Sequence, residues 1–327
     1  MADLKIKMAC KVYDRTLPFF LGWVKPKGIE LEMVDITEGA PKPPGIGSGH
    51  TAHMHAGLVD ASEHSASVYL VMKEIGCDFT AIPVFPHRRF RHAYIFVHKE
   101  AGITRPKDLE GRRVGVPRLA NTAALWARGA LMHAYDVDYD KVHWVPFSAE
   151  YAEGMEKPKD VDLAEVVTDK SEVEALKDRE IDAYISPGEA DEVFDPTSVV
   201  GRLFPNFKDE EQAYFRRTGI FPIMHTFVLR DSLIQSDPWV VGSLMDAWNE
   251  AMRRTYRWVR DQRKSILVWM GDYYRQEREF FGDWDPWKMD FQYNYAILDA
   301  LCQYGYEQRL VETRFKPEDI WVTGPIG

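Results

Sequence analysis

Aliphatic and polar residues near the start of the chain form short segments that are typical of β-strands. Leu4–Val12 and Ile29–Val34 are both rich in aliphatic residues, and turn-forming residues lie between them. Phe79–Phe85 and Ala93–His98 show a similar pattern, with a polar, cationic loop over Pro86–His92 between them. The first part of the chain is therefore predicted to supply several strands of a sheet.

A helix is predicted between these strands. Asp60 can accept hydrogen bonds from first-turn N–H groups, and Glu63 stands three residues later, as a capping box requires. Apolar residues then recur at helical spacing from Val68 to Ile75, and Gly76 is a typical helix end. This spacing predicts a helix that starts at Asp60–Glu63 and ends at Gly76.

The middle of the chain alternates between strand and helix patterns. Short apolar segments predict three strands, over Val114–Val116, Val142–Val145 and Ile181–Ile185. One predicted helix begins at Asn121 or Thr122 and runs to about Ala134, and another spans Glu172–Lys177. Such alternation favours a parallel sheet with right-handed crossovers.

After a last strand over Ile220–Leu229, Asp237 and Pro238 mark the start of a long helical tail that holds most of the ten tryptophans. The chain is expected to cross between two lobes near 99–105 and again near 217–225. The predicted lobes are residues 1–98 with 226–327, and residues 99–225. A ligand cleft is expected between them, at the carboxyl ends of strands.

Composition narrows the classes of function. The 327 residues carry a formal net charge of −10, which argues against nucleic acid as a partner. Three widely spaced cysteines form no disulfide framework or zinc ribbon. The first ten residues lack the features of a secretory signal, and the sequence contains no apolar stretch of about 20 residues. We therefore expect a cytoplasmic protein without a membrane segment.

Several motifs together resemble one family. Residues 108–117, Asp-Leu-Glu-Gly-Arg-Arg-Val-Gly-Val-Pro, are similar to the start of the second lobe in type II periplasmic binding proteins. Four further stretches resemble the 4,5-dihydroxyphthalate decarboxylase family: Tyr-Asp-Arg-Thr at 13–16, Phe-Arg-His at 90–92, Asn-Thr-Ala-Ala-Leu-Trp-Ala-Arg-Gly at 121–129, and Arg-Arg-Thr-Gly-Ile-Phe-Pro-Ile-Met-His at 216–225.

The resemblance implies a two-lobed α/β fold of the type II periplasmic-binding-protein kind, in which each lobe is a mixed sheet flanked by helices. It also implies decarboxylation of a dihydroxylated aromatic dicarboxylate without an organic cofactor. The stretch 37–57 is richer in Gly, Pro and His than in the family, which leaves the ring substituents of the substrate open.

Candidate site residues follow from these motifs and from side-chain chemistry. Histidines can be poised near neutral pH, arginines bind carboxylates through two N–H groups, and helix starts attract anions. The candidate catalytic residues are His92, His225 and Asp14. The candidate substrate-binding residues are Arg15, Arg91, Asn121, Thr122, Arg217 and Glu63.

Several alternatives stay open. Glu63 can be a helix cap, Arg217 an interlobe ion-pair partner, and Asp14 the partner of Arg15 in a surface pair. A divalent metal bound by His50, His53 and His55 is a weaker hypothesis than a His-rich surface loop.

The function, too, has alternatives. The protein could be a solute-binding protein for an aromatic acid, or an enzyme of the menaquinone or thiamin type on the same scaffold. Whether it forms a homo-oligomer is open as well.

Overall fold

Two five-stranded mixed β-sheets organise the computed structural model, which describes residues 3–39, 51–148 and 170–324. The strands of the first sheet are β1 Leu4–Cys10, β2 Ile29–Asp35, β3 Ala61–Ser65, β4 Phe79–Arg88 and β10 Ile223–Arg230. Their order is β2-β1-β3-β10-β4. β1 runs parallel to β2 and β3, whereas β10 is antiparallel to β3 and β4.

The second sheet has the same mixed character. Its strands are β5 Ile95–His98, β6 Arg113–Val116, β7 His143–Pro146, β8 Ala183–Ile185 and β9 Val200–Arg202, in the order β7-β6-β8-β5-β9. β6 is parallel to β7 and β8, and β5 is antiparallel to β8 and β9. Strand β5 therefore belongs to the second sheet. The predicted lobe boundary after residue 98 had grouped this strand with the first lobe.

Eleven α-helices surround the sheets in the described parts of the chain. They are α1 Leu17–Phe20, α2 Ala52–His55, α3 Ala66–Ile75, α4 Thr122–Tyr135, α5 Glu172–Lys177, α6 Phe207–Thr218, α7 Asp231–Ser236, α8 Trp239–Arg260, α9 Met270–Phe281, α10 Phe291–Glu307 and α11 Pro317–Ile320. No helix among these described residues is both long enough and apolar enough to cross a bilayer.

The predicted helix start at Asp60–Glu63 is wrong. Residues 61–65 form the central strand β3, which pairs with β1 and β10, and the helix begins only at Ala66. The Asp60 carboxylate accepts a backbone hydrogen bond, as a cap would, but the donor is the N–H of Lys7 on β1, at 2.8 Å. Pairing with β1 and β10 provides hydrogen-bond partners for backbone groups on both edges of β3. A capping box would provide partners only for the N–H groups at a helix start. The predicted end at Gly76 is confirmed, because its φ of 87° is the left-handed conformation that favours glycine.

The helical tail packs against both lobes. Trp248 of α8 is fully buried and lies with its ring centroid 5.0 Å from Phe19 and 5.4 Å from Phe227. α10 packs against α3 of the first lobe and α4 of the second. Gly129 of α4 allows this close approach, because a Cβ there would overlap the ring of Tyr304 on α10. The tail thus covers its own lobe and also joins the two lobes along one side.

Candidate active site

A buried carboxylate lies at the centre of the first sheet. Glu63 on β3 has no solvent exposure. Its Oε1 atom accepts a hydrogen bond from the Tyr13 hydroxyl at 2.8 Å and another from Nδ1 of His225. Its Oε2 atom accepts from the backbone N–H of Lys11 at 3.0 Å. Burying a carboxylate is costly unless donors surround it, and these three donors offset that cost.

Two histidines face each other beside this carboxylate. His225 on β10 pairs in register with His87 on β4 and with Ser65 on β3. The two imidazole centroids are 4.7 Å apart, in an edge-to-face arrangement. Burial lowers the pKa of His225, and nearby Lys11 lowers it further. Burial also lowers the pKa of His87, followed by the effect of His225.

His87 has an unused polar atom. Its Nδ1 is buried and has no hydrogen-bond partner among the described residues, although the residue as a whole is half-buried. A buried polar atom without a partner is uncommon in proteins and often marks a place where water or a ligand binds. The lowered pKa keeps the ring neutral, so that this nitrogen can accept or donate one hydrogen bond, according to its tautomer.

Arg15 lies next to this group on the turn after β1. Its guanidinium carbon is 4.1 Å from the ring centroid of Tyr13 and 4.6 Å from that of Trp287. Nε donates to the backbone carbonyl of Pro86, directly before His87, and Nη1 forms an ion pair with Asp14 at 3.0 Å. These contacts hold the guanidinium in a fixed plane, which suits recognition of a carboxylate.

The start of α4 brings the second lobe to the same place. Of the two predicted starting residues, Asn121 caps this helix by accepting a hydrogen bond from the Ala124 N–H at 3.1 Å, and Thr122 is its first residue. Thr122 is buried, and its hydroxyl shares hydrogen bonds with those of Ser65 at 2.7 Å and Ser67 at 2.8 Å. Since Ser65 is in register with His225, these bonds place the anion-attracting end of α4 beside the histidine pair.

The structure does not bring His92 to this group. His92 is buried in an aromatic enclosure, with its centroid 5.1 Å from Phe204, 5.1 Å from Tyr214 and 5.7 Å from Tyr135. Both ring nitrogens lack a partner among the described residues. Burial, helped by nearby Arg217 and Arg91, lowers the pKa of His92 to about 4. The expected pairing of His92 with His225 as alternative proton donors at one site therefore has no geometric support.

The other candidate arginines lie elsewhere. Arg91 is buried, donates to the backbone carbonyl of Ser186 and packs 4.4 Å from the Tyr94 centroid, and burial lowers its pKa to about 10. Arg217 is exposed on α6, with its guanidinium 5.7 Å from the ring of Tyr135. Neither contacts the Glu63–His225 pair in the described structure.

Arg88 falls in the cationic loop predicted over Pro86–His92, but it is the last residue of β4 and is not exposed to solvent. This arginine is buried beneath the helical tail, where it donates to the side chain of Asn294 at 2.7 Å and to the backbone carbonyl of Pro286. It therefore fixes the tail to β4.

The hypothetical histidine metal site is only partly visible, because His50 lies outside the described residues. His53 and His55 belong to α2, and Nε2 of His55 lies 3.0 Å from Nε2 of His64. Within residues 3–39, 51–148 and 170–324, no group of three or more His, Cys, Asp or Glu side chains is arranged to hold a metal ion.

Sequence reasoning missed Tyr13, His87 and Ser65 as members of the site. Tyr13 stands in one of the family-like motifs, and His87 was read as part of a cationic loop. The signal that could have found His87 is strand alternation, because β4 continues to Arg88 and carries His87 into register with His225. Ser65 falls inside the helix predicted from Asp60–Glu63 to Gly76, but in the structure it is the last residue of β3.

Comparison with known proteins gives this geometry a context. The sequence profile of the NMT1/THI5-like family matches residues 21–255. A 4,5-dihydroxyphthalate decarboxylase from Comamonas testosteroni is 30% identical over 332 residues, covering 98% of this chain and 97% of the relative. A second protein of that name, from Pseudomonas putida, is 34% identical over 198 residues, covering 57% of this chain and 72% of the relative.

Solved structures agree on the fold. The alkanesulfonate-binding protein SsuA from Xanthomonas axonopodis pv. citri, bound to MOPS, is 12% identical with a TM-score of 0.56, and the match covers 99% of each chain. The periplasmic aliphatic sulphonate-binding protein SsuA from Escherichia coli is 11% identical with a TM-score of 0.55, covering 100% of this chain and 94% of that one. These likenesses confirm the predicted two-lobed α/β fold, and the full-length relative confirms the family resemblance. The chain therefore belongs to the 4,5-dihydroxyphthalate decarboxylase family, on a two-lobed, NMT1/THI5-like scaffold.

Proposed function

We propose that this protein is a carbon–carbon lyase that removes one carboxylate from 4,5-dihydroxyphthalate or a close analogue, giving protocatechuate and carbon dioxide. Such a reaction belongs to the breakdown of phthalates, in which the ring must lose a carboxylate. The observation that carries the proposal is the buried Glu63–His225 pair with His87 opposite it, because this arrangement supplies proton transfer inside a water-poor site.

The chemistry requires a proton donor and an electron-rich ring. A hydroxyl para to the reacting carboxylate pushes electron density towards the carbon that bears this carboxylate. That carbon then takes a proton, the bond to the carboxylate breaks, and its electron pair restores the aromatic ring as carbon dioxide leaves. The role of the protein is to activate the hydroxyl and to deliver the proton.

His225 is the proton donor in this proposal. Burial lowers the pKa of its imidazole. A bound dicarboxylate adds negative charge beside the ring and favours the imidazolium, and the Glu63 carboxylate stabilises that charge through Nδ1. Nε2 then delivers the proton to the ring carbon. His87, whose Nδ1 has no partner among the described residues, accepts a hydrogen bond from the substrate hydroxyl.

Arg15 and the start of α4 anchor the carboxylate that stays on the ring. Arg15 supplies a fixed guanidinium, and α4 supplies the positive end of its dipole next to Thr122. The reacting carboxylate must be held less tightly, since a strong ion pair would stabilise the ground state. All of these roles are assigned to groups of the protein itself, so the proposal includes no organic cofactor and no metal.

Incubation of the purified protein with 4,5-dihydroxyphthalate tests the proposal, with protocatechuate followed by chromatography and carbon dioxide by isotope release. We expect equal rates with and without a chelator, and loss of turnover in His225→Ala. Loss of turnover with the chelator would instead implicate a metal. A thermal shift without carbon dioxide would favour a solute-binding protein.

A further inference from the structure

A cavity lies beside Arg15, between the turn after β1 and helices α8 and α9. Its volume is about 250 Å³. Among the residues that the structure describes, its lining consists of Asp14, Arg15 and side chains between positions 252 and 287. The cavity therefore lies between the turn after β1 and the helical tail, and Thr122, which approaches His225 from α4, is not among these lining residues.

The walls of this cavity suit one aromatic ring. They include the apolar side chains of Met252 and Val259 and the aromatic rings of Tyr274 and Trp287. An apolar cavity of about 150 Å³ holds benzene, so that a single substituted ring fits within the larger volume here. Methionine and aromatic side chains are also the groups that contact ring faces and edges most favourably.

The polar groups on the walls select the substituents of that ring. Asp14 and Glu277 present carboxylates, which accept hydrogen bonds and cannot donate them when ionised. The cation on the wall, Arg15, is already paired with Asp14 at 3.0 Å. With both carboxylates ionised, the net charge of the lining is negative, which disfavours a carboxylated ring and favours a ring that donates hydrogen bonds.

We propose that this cavity is a binding site for an uncharged dihydroxybenzene, with the hydroxyl groups donating to Asp14 and Glu277 and the ring packed between Met252 and Trp287. The site lies next to the catalytic group and shares Arg15 with it, but its lining does not include Glu63, His87 or His225. Arg15 connects the two, because it contacts Trp287 in the cavity wall and Tyr13, which donates to Glu63.

Calorimetric titration of the full chain with catechol tests this site without reference to decarboxylation. We expect catechol to bind the wild type and His225→Ala with equal affinity. Val259→Phe, which fills the cavity, should weaken binding at least about tenfold, and Glu277→Gln at least about threefold, as expected for loss of packing space or of one charged acceptor. Glu279→Gln is the matched control, because Glu279 lies on the same helix and does not line this cavity.

Benzoate is the charged comparison ligand, and it should bind at least about tenfold more weakly than catechol if the negative lining acts as argued. Absence of catechol binding at millimolar concentration would overturn the proposal. So would unchanged affinity in Val259→Phe, or benzoate binding as tightly as catechol. Melting temperatures of all variants show whether each is folded. If Val259→Phe is unstable, the catechol affinity of Glu277→Gln, a substitution at an exposed position, still tests the proposal.

Discussion

Glu63 on β3 and His225 on β10 lie two positions apart across an antiparallel strand pair, and a hydrogen bond joins Oε1 of the carboxylate to Nδ1 of the imidazole. Phe227, two residues beyond His225, is the direct partner of Glu63 in the register. Diagonal neighbours of this kind share one face of a sheet and are within reach of long side chains. The pair is thus fixed by two central strands, which gives it a more rigid geometry than a loop would.

Glu63→Gln should reduce kcat about 100-fold while leaving substrate affinity within about threefold, because a neutral amide cannot stabilise the imidazolium that forms at His225. Steady-state kinetics and a direct binding titration measure the two effects. Glu32→Gln, at an exposed position on β2, is the control and should retain wild-type kcat. A wild-type kcat in Glu63→Gln would contradict the role of this carboxylate.

The pH dependence of kcat should report His225. Only the imidazolium form donates a proton, so that kcat should fall as the pH rises through the pKa of His225 in the substrate complex. Burial acts to lower this pKa and Glu63 acts to raise it, so that Glu63→Gln should move the falling limb to lower pH. If the falling limb of the kcat profile lies at the same pH in Glu63→Gln and the wild type, another group supplies the proton.

His92→Phe should make the protein less sensitive to acid. The pKa of His92 is lowered by burial to about 4 from its ordinary value of 6.5, so the unfolded chain binds more protons between these two pH values. The contribution of His92 to the free energy of unfolding is therefore complete above about pH 6.5. It is lost as the pH falls towards 4, and the total loss is about 3 kcal/mol. Urea unfolding at pH 7.5 and 5.0 should show a smaller difference in His92→Phe than in the wild type.

The same variant separates two roles for His92. If this histidine is only a buried member of the aromatic enclosure, His92→Phe should keep kcat within about threefold of the wild type, since it contacts no reacting group. A loss of kcat at full stability would restore His92 as a candidate proton donor.

Thr122→Val should destabilise the protein by about 1–3 kcal/mol. The substitution removes the hydroxyl group on α4 to which the buried hydroxyls of Ser65 and Ser67 are both hydrogen-bonded. Denaturant unfolding measures the change. Valine has nearly the same shape as threonine, so that lost hydrogen bonding rather than packing would account for it. A change below about 0.3 kcal/mol would show that water replaces the threonine hydroxyl.

Arg15→Lys should weaken substrate binding about tenfold or more although the charge is kept, because an ammonium group cannot replace the planar guanidinium that contacts Tyr13 and Trp287. The dissociation constant for the substrate, measured with the inactive His225→Ala background, gives the effect without turnover. Asp14→Asn in the same background is the comparison, and it should bind the substrate at least as tightly as its parent. Equal affinity of Arg15→Lys and its parent would contradict the anchoring role.

The sequence by itself determined most of the elements and the family. Leu4, Ile29, Phe79 and their neighbours form strands because their aliphatic and aromatic side chains suit a buried, pleated surface. A helix start at Asn121 or Thr122 was recognisable, because capping depends on a side chain and a backbone that are adjacent in the chain.

Only the tertiary structure decided the site. Residues 60–63 satisfy the local rule for a capping box. In the structure, however, residues 61–63 pair with β10, and Ala61 and Ser62 also pair with β1, so that strand pairing takes precedence. Glu63 and His225 are 162 positions apart along the chain, and β10 must insert between β3 and β4 before they meet. Local patterns carry no information about that insertion, which is why His92 and His225 looked equivalent in sequence and have different surroundings in the fold.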